Sequence, residues 1–297
     1  MNNFNPKIKD LTIKTNEPLS NYTFTKTGGN ADYLALPDNE EQLSQLLAVA
    51  NDSGIAITVL GNSSNLIVSD QGIRGLTVIL THLTAIKVSG NNISAEAGAA
   101  LIDVAIAAQE HGLSGLEFAA GIPGSVGGAV YMNAGAYGGQ TADVINYAKV
   151  VGFDGDVKTL TNSDLEFDYR HSVIQNGHNA VLAAEFELTP GDPNLILAKM
   201  DHFNALRASK QPLELPSCGS VFKRPKDHFA GKLIHDAGLQ GYRFGGAEVS
   251  TKHAGFIVNV GGATATDYIN VIRHVQETVY QNSGIHLETE VKIIGAK

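Results

Sequence analysis

The sequence has almost none of the residues that carry disulfide or metal chemistry. It contains one cysteine, Cys218, so neither an internal disulfide nor a cysteine-based metal cluster can form. Its ten histidines show no spacing typical of a metal site. The sequence therefore predicts no bound metal and excludes disulfide-stabilised secreted scaffolds and zinc ribbons.

Tryptophan is absent, charged residues make up only 17% of the chain, and no apolar run is long enough to span a bilayer. The N-terminus MNNFNPKIKD lacks the hydrophobic segment of a signal peptide, which makes the cytoplasm the expected location. The formal net charge of −9 argues against general nucleic-acid binding, which needs many phosphate-neutralising lysine and arginine side chains. We therefore expect a globular protein that binds neither nucleic acid nor a membrane, and nothing in the sequence requires more than a monomer.

Glycine, by contrast, is abundant, and it is concentrated in the stretch GLEFAAGIPGSVGGAVYMNAGAYGG between Gly115 and Gly139. Such density is typical of turns that need positive φ or a close backbone approach to a ligand. Backbone N–H groups in such a turn form a concavity that binds anions, to which Ser125 and Asn133 can add side-chain donors. A phosphate or pyrophosphate group is the expected ligand. The alternative is a run of tight turns with a buried strand of small residues.

A second polar glycine turn, Gly61-Asn62-Ser63-Ser64-Asn65, lies between the apolar segments 55–60 and 66–68. Its N–H, hydroxyl and amide donors make it another candidate for binding phosphate, and a hairpin-like connection is the alternative. Because the chain is acidic overall, an anionic ligand would be held by backbone N–H groups and a few local cations. A strict G-x-G-x-x-G after a first strand is missing, which removes the main signature of the Rossmann dinucleotide-binding fold.

Hydrophobic periodicity and turn residues predict an α+β fold with a large sheet. Helices are predicted over 39–50, with Asp38 or Asn39 as N-cap, and over 101–111, 193–209 and 267–281, the last capped by Thr266. An Asp-Gly pair at 154–155 predicts a hairpin turn. The predicted strands cover 33–36, 55–60, 66–68, 76–80, 85–88, 93–97, 148–153, 155–160, 180–188, 255–260 and 288–294.

Six segments together resemble the UDP-N-acetylenolpyruvoylglucosamine reductase (MurB) family. They are GNSSNL from Gly61, GIPGSVGGAVYMNAGAYG from Gly121, FDYRHS from Phe167, PSCGSVFKRP from Pro216, STKHAGFIVN from Ser250 and LETEVKIIG from Leu287. They follow one another in the family's order and span essentially the whole chain. The lack of a longer tyrosine-bearing insertion after Arg170 resembles the family's shorter, second type.

The resemblance implies a two-lobed FAD-binding region of the vanillyl-alcohol-oxidase (PCMH) type, with lobes at 1–75 and 76–205, and a smaller α+β substrate-binding domain at 206–297. It implies non-covalent FAD as cofactor, NADPH as reductant, and reduction of UDP-N-acetylglucosamine enolpyruvate to UDP-N-acetylmuramate in peptidoglycan precursor synthesis. The two glycine turns would hold the FAD pyrophosphate. The residues expected to bind FAD are Gly61, Asn62, Ser63, Ser64, Asn65, Leu66, Gly121, Ile122, Gly124, Ser125, Gly127, Gly128, Asn133, Gly135 and Ala136.

Hydride addition to an enol ether conjugated with a carboxylate builds an enolate. The site then needs positive charge or an acid group at the carboxylate and a proton donor at the neighbouring carbon. By resemblance, Ser220 is the proton donor, Arg170 holds the carboxylate through its planar fork, and Glu290 assists there as a neutral acid. Each has a structural alternative: Ser220 can bond a turn, Arg170 can pair with Asp168, and Glu290 can be a solvated strand residue opposite Lys292.

The uridine diphosphate of the substrate needs cations. Lys210 matches a family lysine that follows an Arg-x-x-Lys turn and is the expected phosphate contact. Lys223, Arg224 and Tyr169 complete the predicted substrate-binding set, although Lys223 and Arg224, like Lys232, are equally consistent with a solvated surface. Arg224 departs from the asparagine that the family often has at this position.

Three further residues near these motifs have two interpretations. Cys218 lies close to Ser220 in the sequence, but no spacing supports a Cys-His pair, so we expect a small buried residue rather than a nucleophile. Lys252 and His253 either line the flavin or make hydrogen bonds to loop backbone.

Two other functions stay open at the level of sequence. One is a different non-covalent flavin oxidoreductase on the same scaffold, such as a sugar or hydroxy-acid oxidase. Many of these attach FAD covalently through histidine or cysteine, and the glycine stretch contains neither. The other is a nucleotide-sugar-binding module without a cofactor, which would be indicated by loss of Ser220, Arg170 or Glu290, and all three are present.

Overall fold

The structure, a computed structural model, describes residue 4 and residues 6–296. Its internal contacts divide the chain into two units, each assembled from separate segments. The first unit contains the chain up to Thr15, Tyr33–Asn62 and Gly75–Leu206, and the second contains Asn16–Asp32, Ser63–Arg74 and the chain from Arg207 onward. The predicted three-part division at 1–75, 76–205 and 206–297 stays a prediction.

The helices predicted over 39–50, 101–111, 193–209 and 267–281 are confirmed, and two further helices lie in segments for which none was predicted. The bounds are α1 (Glu40–Asp52), α2 (Leu101–Glu110), α3 (Val126–Met132), α4 (Pro193–Lys210), α5 (Ala230–Asp236) and α6 (Ala265–Ser283). Short 3-10 helices occur at Leu19–Asn21, Glu117–Ala119, Thr141–Asp143, Ser163–Leu165 and Val173–Asn176. Within the described residues, no helix combines the length and the apolar character needed to cross a membrane.

The strands are short and follow most of the predicted segments. In chain order they are β1 (Ile13–Pro18), β2 (Asn30–Ala35), β3 (Ile57–Leu60), β4 (Leu66–Val68), β5 (Ile73–Ile79), β6 (Ile86–Ser89), β7 (Asn92–Glu96), β8 (Leu113–Ser114), β9 (Gly135–Ala136), β10 (Gly139–Gln140), β11 (Ile145–Gly152), β12 (Val157–Thr161), β13 (Asn179–Glu187), β14 (Thr189–Pro190), β15 (Ser217–Ser220), β16 (Arg243–Phe244), β17 (Ala247–Val249), β18 (Phe256–Asn259) and β19 (Lys292–Ile294).

The first unit is built around an antiparallel five-stranded sheet in the order β12-β11-β13-β7-β6. The predicted hairpin at Asp154 and Gly155 joins β11 to β12, and Gly155 adopts φ 88°, which suits glycine. One apolar core contains the buried faces of α1, α2 and α3 together with strand residues such as Ile93 and Phe186. A four-stranded sheet has the order β1-β2-β5-β3, in which β3 and β5 are parallel.

The second unit contains an antiparallel sheet in the order β15-β18-β17-β16 and a parallel pair of β4 with β19. Its apolar core includes Ile234 of α5, Val275 of α6 and Ile67 of β4. Because β3 pairs with β5 and β4 with β19, the hairpin alternative for the turn at 61–65 is wrong. The turn connects strands of two different sheets.

Two details of the predicted elements need correction. Helix α6 begins two residues earlier than predicted, and its N-cap is Thr264 rather than Thr266: Thr264 Oγ1 accepts from Asp267 N at 3.1 Å and Asp267 Oδ2 accepts from Thr264 N at 3.0 Å. The Thr266 hydroxyl instead donates to Asp70 Oδ2 at 2.6 Å. The final strand is shorter than predicted because residues 288–290 bond to the backbone of residues 221–223, outside any ladder except one isolated bridge.

The cap of α1 gives a direct test of the fold. The Asn39 side chain accepts a hydrogen bond from Gln42 N at 2.9 Å, whereas the Asp38 carboxylate pairs with exposed His82 at 2.7 Å. Replacing Asn39 by alanine should lower the free energy of unfolding by about 1 kcal/mol, because the first turn loses an acceptor for its backbone N–H. Asp38→Ala should cost less than half as much, since exposed ion pairs contribute little. Urea unfolding of the two variants decides, and equal losses would contradict this assignment of the cap.

Candidate active site

The glycine stretch forms a turn that leads into helix α3. Ser125 is the N-cap, with an extended backbone, and its Oγ accepts from Gly128 N at 3.3 Å. The N–H groups of Val126 and Gly127 donate to Ala99 O at 2.9 Å and Ala97 O at 2.8 Å. The alternative of tight turns with a buried strand is therefore wrong. An N-cap serine ahead of an apolar run is the sequence signal from which this helix could have been predicted.

Two of the predicted N–H donors are thereby engaged within the protein. Gly127 N donates to Ala97 O, and a β-carbon added at Gly127 would lie 3.0 Å from the Ala97 β-carbon. Gly128 N donates to the Ser125 hydroxyl. Hence Gly127 is required for close packing of α3, and neither of these N–H groups is free to bind an anion. The prediction that both glycines contribute N–H donors needs this correction.

The structure brings the first two residues of the 61–65 turn together with the glycine stretch. Asn62 Nδ2 donates to Pro123 O at 2.9 Å. A β-carbon at Gly61 would collide with the Ser125 hydroxyl, so only glycine fits there. Ser125 is fully buried, and because its oxygen accepts the bond from Gly128, its own proton remains available for donation. We refer to Gly61, Asn62, Pro123 and Ser125 as the cradle. All four lie in the first unit.

Asn133 does not act as a side-chain donor to a ligand. It ends α3 in the left-handed conformation, with φ 43°, and is 1% exposed. Its Nδ2 donates to Gln140 Oε1 and to Asp168 O, both at 3.1 Å, and its Oδ1 accepts from Ala142 N at 3.0 Å. The prediction of a side-chain donor is wrong because these bonds use both amide hydrogens and the carbonyl. Asn133 instead fixes the loops around it.

The Arg170 guanidinium is oriented by main-chain carbonyls. Its Nη2 donates to Gly135 O at 3.2 Å and its Nη1 to Asn133 O at 3.5 Å, while its Cζ lies 5.0 Å from the Tyr169 ring centroid. The Asp168 carboxylate accepts from Tyr169 N at 2.7 Å. Arg170 also has φ 57°, an uncommon conformation for a side chain of this size. The backbone thus places a permanent positive charge beside the predicted FAD-binding residues of β9.

In the second unit, the rest of the 61–65 turn lies against the segment that carries Glu290. Ser63 is buried with φ 53°. Asn65 Nδ2 donates to Glu290 O at 3.3 Å, and Asn65 O accepts from Lys292 N at 3.1 Å. Asn65, predicted to bind the cofactor, therefore holds the backbone on both sides of Val291, with its side chain at Glu290 and its backbone carbonyl at Lys292.

Ser220 lies next to a bulge at the end of β15. Ser217 is opposite Val258 and Ser220 is opposite Phe256, so β15 contains one residue more than its partner. Gly219 supplies positive φ, 74°, as in a G1 bulge. Such a bulge changes the direction of the following side chain, and Ser220 is exposed although both of the residues that follow it are buried.

Ser220 and Glu290 are brought close together by main-chain hydrogen bonds. Val221 O accepts from Glu290 N at 2.8 Å, and Lys223 N donates to Glu288 O at 2.9 Å. The two predicted catalytic residues of the second unit therefore lie on neighbouring segments. Backbone bonds set the register between the two segments, and the Asn65 side chain also holds the carbonyl of Glu290.

The predicted phosphate contacts are in part surface pairs. Lys223 Nζ lies 3.2 Å from Glu288 Oε2, and Lys232 Nζ lies 2.7 Å from Asp236 Oδ2, with all four side chains more than a third exposed. Such pairs contribute little to stability. The Arg224 Cζ lies 4.0 Å from the Phe229 ring centroid. For Lys232 this supports the surface interpretation, and the substrate roles of Lys223 and Arg224 stay predictions.

His253 makes the expected bond to loop backbone, whereas Lys252 bonds to a backbone carbonyl of helix α4. Lys252 Nζ donates to Ala208 O at 2.9 Å, and His253 Nδ1 accepts from Gly255 N at 3.1 Å, which leaves the proton of the neutral ring on Nε2. Burial lowers the pKa of His253, and the nearby charge of Lys210 lowers it further. His253 is therefore neutral at neutral pH, and Lys210 lies close enough to influence it.

Comparison with known proteins gives the family. Residues 31–161 match the family model described as an FAD binding domain, and residues 211–294 match the UDP-N-acetylenolpyruvoylglucosamine reductase C-terminal domain. The UDP-N-acetylenolpyruvoylglucosamine reductase of Limosilactobacillus fermentum is 58% identical over 295 residues, covering 99% of this chain and 98% of that protein. That of Levilactobacillus brevis is 60% identical over 290 residues, covering 98% and 94%. The chain belongs to the MurB family.

A solved structure agrees with this assignment. The MurB crystal structure from Thermus caldophilus is 32% identical, covers 95% of this chain and 98% of that one, and superposes with a TM-score of 0.82. The predicted fold class, an FAD-binding region of PCMH type followed by a smaller α+β domain, is confirmed. The roles of the individual site residues stay predictions.

The residues present fit FAD, the cofactor that the family implies. A pyrophosphate in an acidic protein needs neutral donors and no nearby carboxylate. In the first unit, Gly61 and Asn62 lie against the glycine stretch, and the sequence from Gly121 to Gly139 has no charged side chain. These residues would hold the diphosphate, and bound FAD supplies hydride chemistry.

Gly61→Ala tests the cradle. The added β-carbon collides with the buried Ser125 hydroxyl, so we expect FAD binding about tenfold weaker or worse, because forced overpacking costs about 1–3 kcal/mol. Titration of the apoprotein with FAD measures it. Gly231→Ala in α5 is the matched control, since its β-carbon would lie 3.6 Å from its nearest neighbours, Gly255 N and His253 Cε1. Equal FAD affinity in wild type and Gly61→Ala would disprove the packing argument.

Cys218 gives a second test. It is 2% exposed, and burial raises the pKa of its thiol to about 12, which confirms the interpretation as a small buried residue. The native protein should therefore not react with a disulfide reagent at about pH 8, and the unfolded chain should titrate one thiol. Cys218→Ala should retain activity within about twofold, at some cost in stability. Rapid labelling of the native protein would contradict this assignment.

Proposed function

We propose that this chain reduces UDP-N-acetylglucosamine enolpyruvate to UDP-N-acetylmuramate with NADPH, through FAD, as the named relatives' activity implies. The observation that carries the proposal is the pairing of the segments of Ser220 and Glu290 through Val221 O, in a chain that matches the MurB family from end to end. It supplies a hydroxyl and a carboxyl group on adjacent backbone segments, as addition of hydride and a proton to a conjugated enol ether requires.

Arg170 binds the substrate carboxylate. Its guanidinium carries a permanent charge and donates to two carbonyl oxygens, which fix its orientation. Fixed orientation matters because the negative charge on the carboxylate grows when the enolate forms, and a donor that need not reorganise stabilises that charge best. Glu290 assists at the same carboxylate.

Ser220 supplies the proton. When hydride reaches the enolpyruvyl carbon remote from the carboxylate, the electron pair of the double bond moves to the carbon beside the carboxylate. That carbon takes the proton of the Ser220 hydroxyl, and an alkoxide remains until solvent reprotonates it. Exposure of Ser220, produced by the bulge at Gly219, gives its hydroxyl access to both substrate and water.

We place the reaction in the cytoplasm, where peptidoglycan precursors are made, and we propose a monomer that binds neither nucleic acid nor a membrane. The net charge of −9 supports the absence of nucleic-acid binding. Lys210, Lys223, Arg224 and Tyr169 are proposed to contact the UDP-sugar. Lys210 is the favoured phosphate contact, because it matches a family lysine and brings a positive charge to the C-terminal end of α4.

An anaerobic spectrum of the purified protein tests the function. NADPH should bleach the bound flavin, and the enolpyruvyl sugar nucleotide should restore its colour. Bleaching without recovery would favour another flavin oxidoreductase on this scaffold, and a protein that neither contains nor binds FAD would disprove the proposal.

The role of Ser220 is tested separately. Ser220→Ala should leave the rate of flavin reduction by NADPH unchanged and slow reoxidation by substrate by about 10²–10⁴-fold, the range for loss of a general acid. The control is Ser217→Ala, which removes a hydroxyl from the same strand on the other side of the bulge. If both variants reoxidise at the wild-type rate, Ser220 is not the proton donor.

A further inference from the structure

A two-residue hairpin directly follows Ala136, the last of the predicted FAD-binding residues. Strand β9 pairs with β10 through Ala136 and Gly139, so Tyr137 and Gly138 form the tip. Both have positive φ, 51° and 86°, as in a type I′ turn, for which Asn-Gly is the preferred pair. A bulky aromatic residue is uncommon in this backbone region. Local turn preference therefore does not explain the tyrosine.

The Tyr137 ring stacks on Phe203 of α4. The ring centroids are 4.5 Å apart and the ring planes differ by 6°, although Tyr137 is 41% exposed. Phe203 also contacts Lys199, whose Nζ lies 6.0 Å from the Phe203 ring centroid. The same Nζ lies 3.6 Å from Glu117 Oε2. Glu117 is buried and accepts from Ser114 Oγ at 2.6 Å. The stack thus joins the hairpin tip to a point fixed in the core of the first unit.

The same hairpin holds Arg170. Gly135 O, on β9, accepts from Arg170 Nη2 at 3.2 Å, and Asn133 O, two residues earlier, accepts from Nη1 at 3.5 Å. Beside the tip, a β-carbon added at Gly139 would lie 2.7 Å from the Phe118 ring, so the strand that follows the tip is closely packed. The tip is exposed, and the stack on Phe203 is the contact that fixes it.

We propose that Tyr137 is a positioning residue for Arg170. Its stack on Phe203 fixes the hairpin, and the hairpin carbonyls hold the guanidinium in the orientation that grips the substrate carboxylate. Tyrosine is present in spite of its poor fit to the turn because asparagine offers no ring to stack. This inference rests on the proposed function, in which Arg170 binds that carboxylate.

The test replaces each ring separately. Tyr137→Asn creates the preferred Asn-Gly pair and removes the stack without straining the turn, and Phe203→Leu removes the stack from the other side. Each should raise KM for the enolpyruvyl substrate by about tenfold, the scale of coupling between contacting residues, and the double variant should be no worse than the poorer single one. The inhibition constant of UDP-N-acetylglucosamine, which has no carboxylate, should stay within about twofold of wild type.

Two further variants sharpen the result. In an Arg170→Lys background, Tyr137→Asn should add less than about a twofold change, because its effect passes through the arginine. Leu197→Ala, at an exposed position of the same helix, is the matched control and should leave KM unchanged.

Several outcomes would overturn the inference. These are an unchanged KM in both single variants, an equal loss of UDP-N-acetylglucosamine binding, or an effect of Tyr137→Asn that Phe203→Leu does not reproduce. The last would mean that Tyr137 contacts the substrate itself. Wild-type turnover is measured in the same series, so its absence would disprove the proposed function independently of the stack.

Discussion

One amide hydrogen bond, from Asn62 Nδ2 to Pro123 O, joins the start of the 61–65 turn to the glycine stretch. Beside it, Gly61 leaves room for the Ser125 hydroxyl, which an added β-carbon would meet. A protein with net charge −9 cannot attract a diphosphate by its overall field. We propose that closely packed neutral donors do this instead, in a packing that tolerates very little extra volume.

In the second unit, too, hydrogen bonds join two segments that are distant in the sequence. Ser220 and Glu290 must stay in register, and main-chain bonds from residues 221–223 to residues 288–290 provide it. Side-chain pairs around them, such as that between Lys223 and Glu288, are exposed and weak. The two proposed catalytic residues are therefore positioned mainly by backbone hydrogen bonds, and the charged side chains around them contribute little to that arrangement.

Much of this was predictable from sequence. Helices such as α1 and α6 show strong apolar periodicity, and the family resemblance located the glycine turns and the three proposed catalytic residues. The errors came where local signals compete with tertiary contacts. Thr266 looked like a cap, but its hydroxyl bonds to Asp70, far away in the chain. Asn133 looked like a ligand donor, but its amide is used by partners up to 35 residues distant.

Other features had little or no signal in the sequence. The glycines of helix α3 lower helix propensity and outweigh the signal of its N-cap serine, even though Gly127 is needed for packing against Ala97. The bulge at Gly219 depends on its pairing with β18, and no pattern within β15 reveals that pairing. Pairings between distant segments are what a single sequence shows least.

The parallel pair of β4 with β19 has a consequence for how the chain is made. Asn65 precedes β4 and Glu290 precedes β19, and a hydrogen bond joins these two residues although they lie 225 residues apart in the sequence. While the protein is being synthesised, β4 leaves the ribosome long before its partner exists, and its buried apolar side chains must wait for it. The second unit can therefore complete its fold only after β19, one of the last segments to be synthesised, has emerged. The residues of the 61–65 turn that belong to this unit reach their final contacts at the same stage.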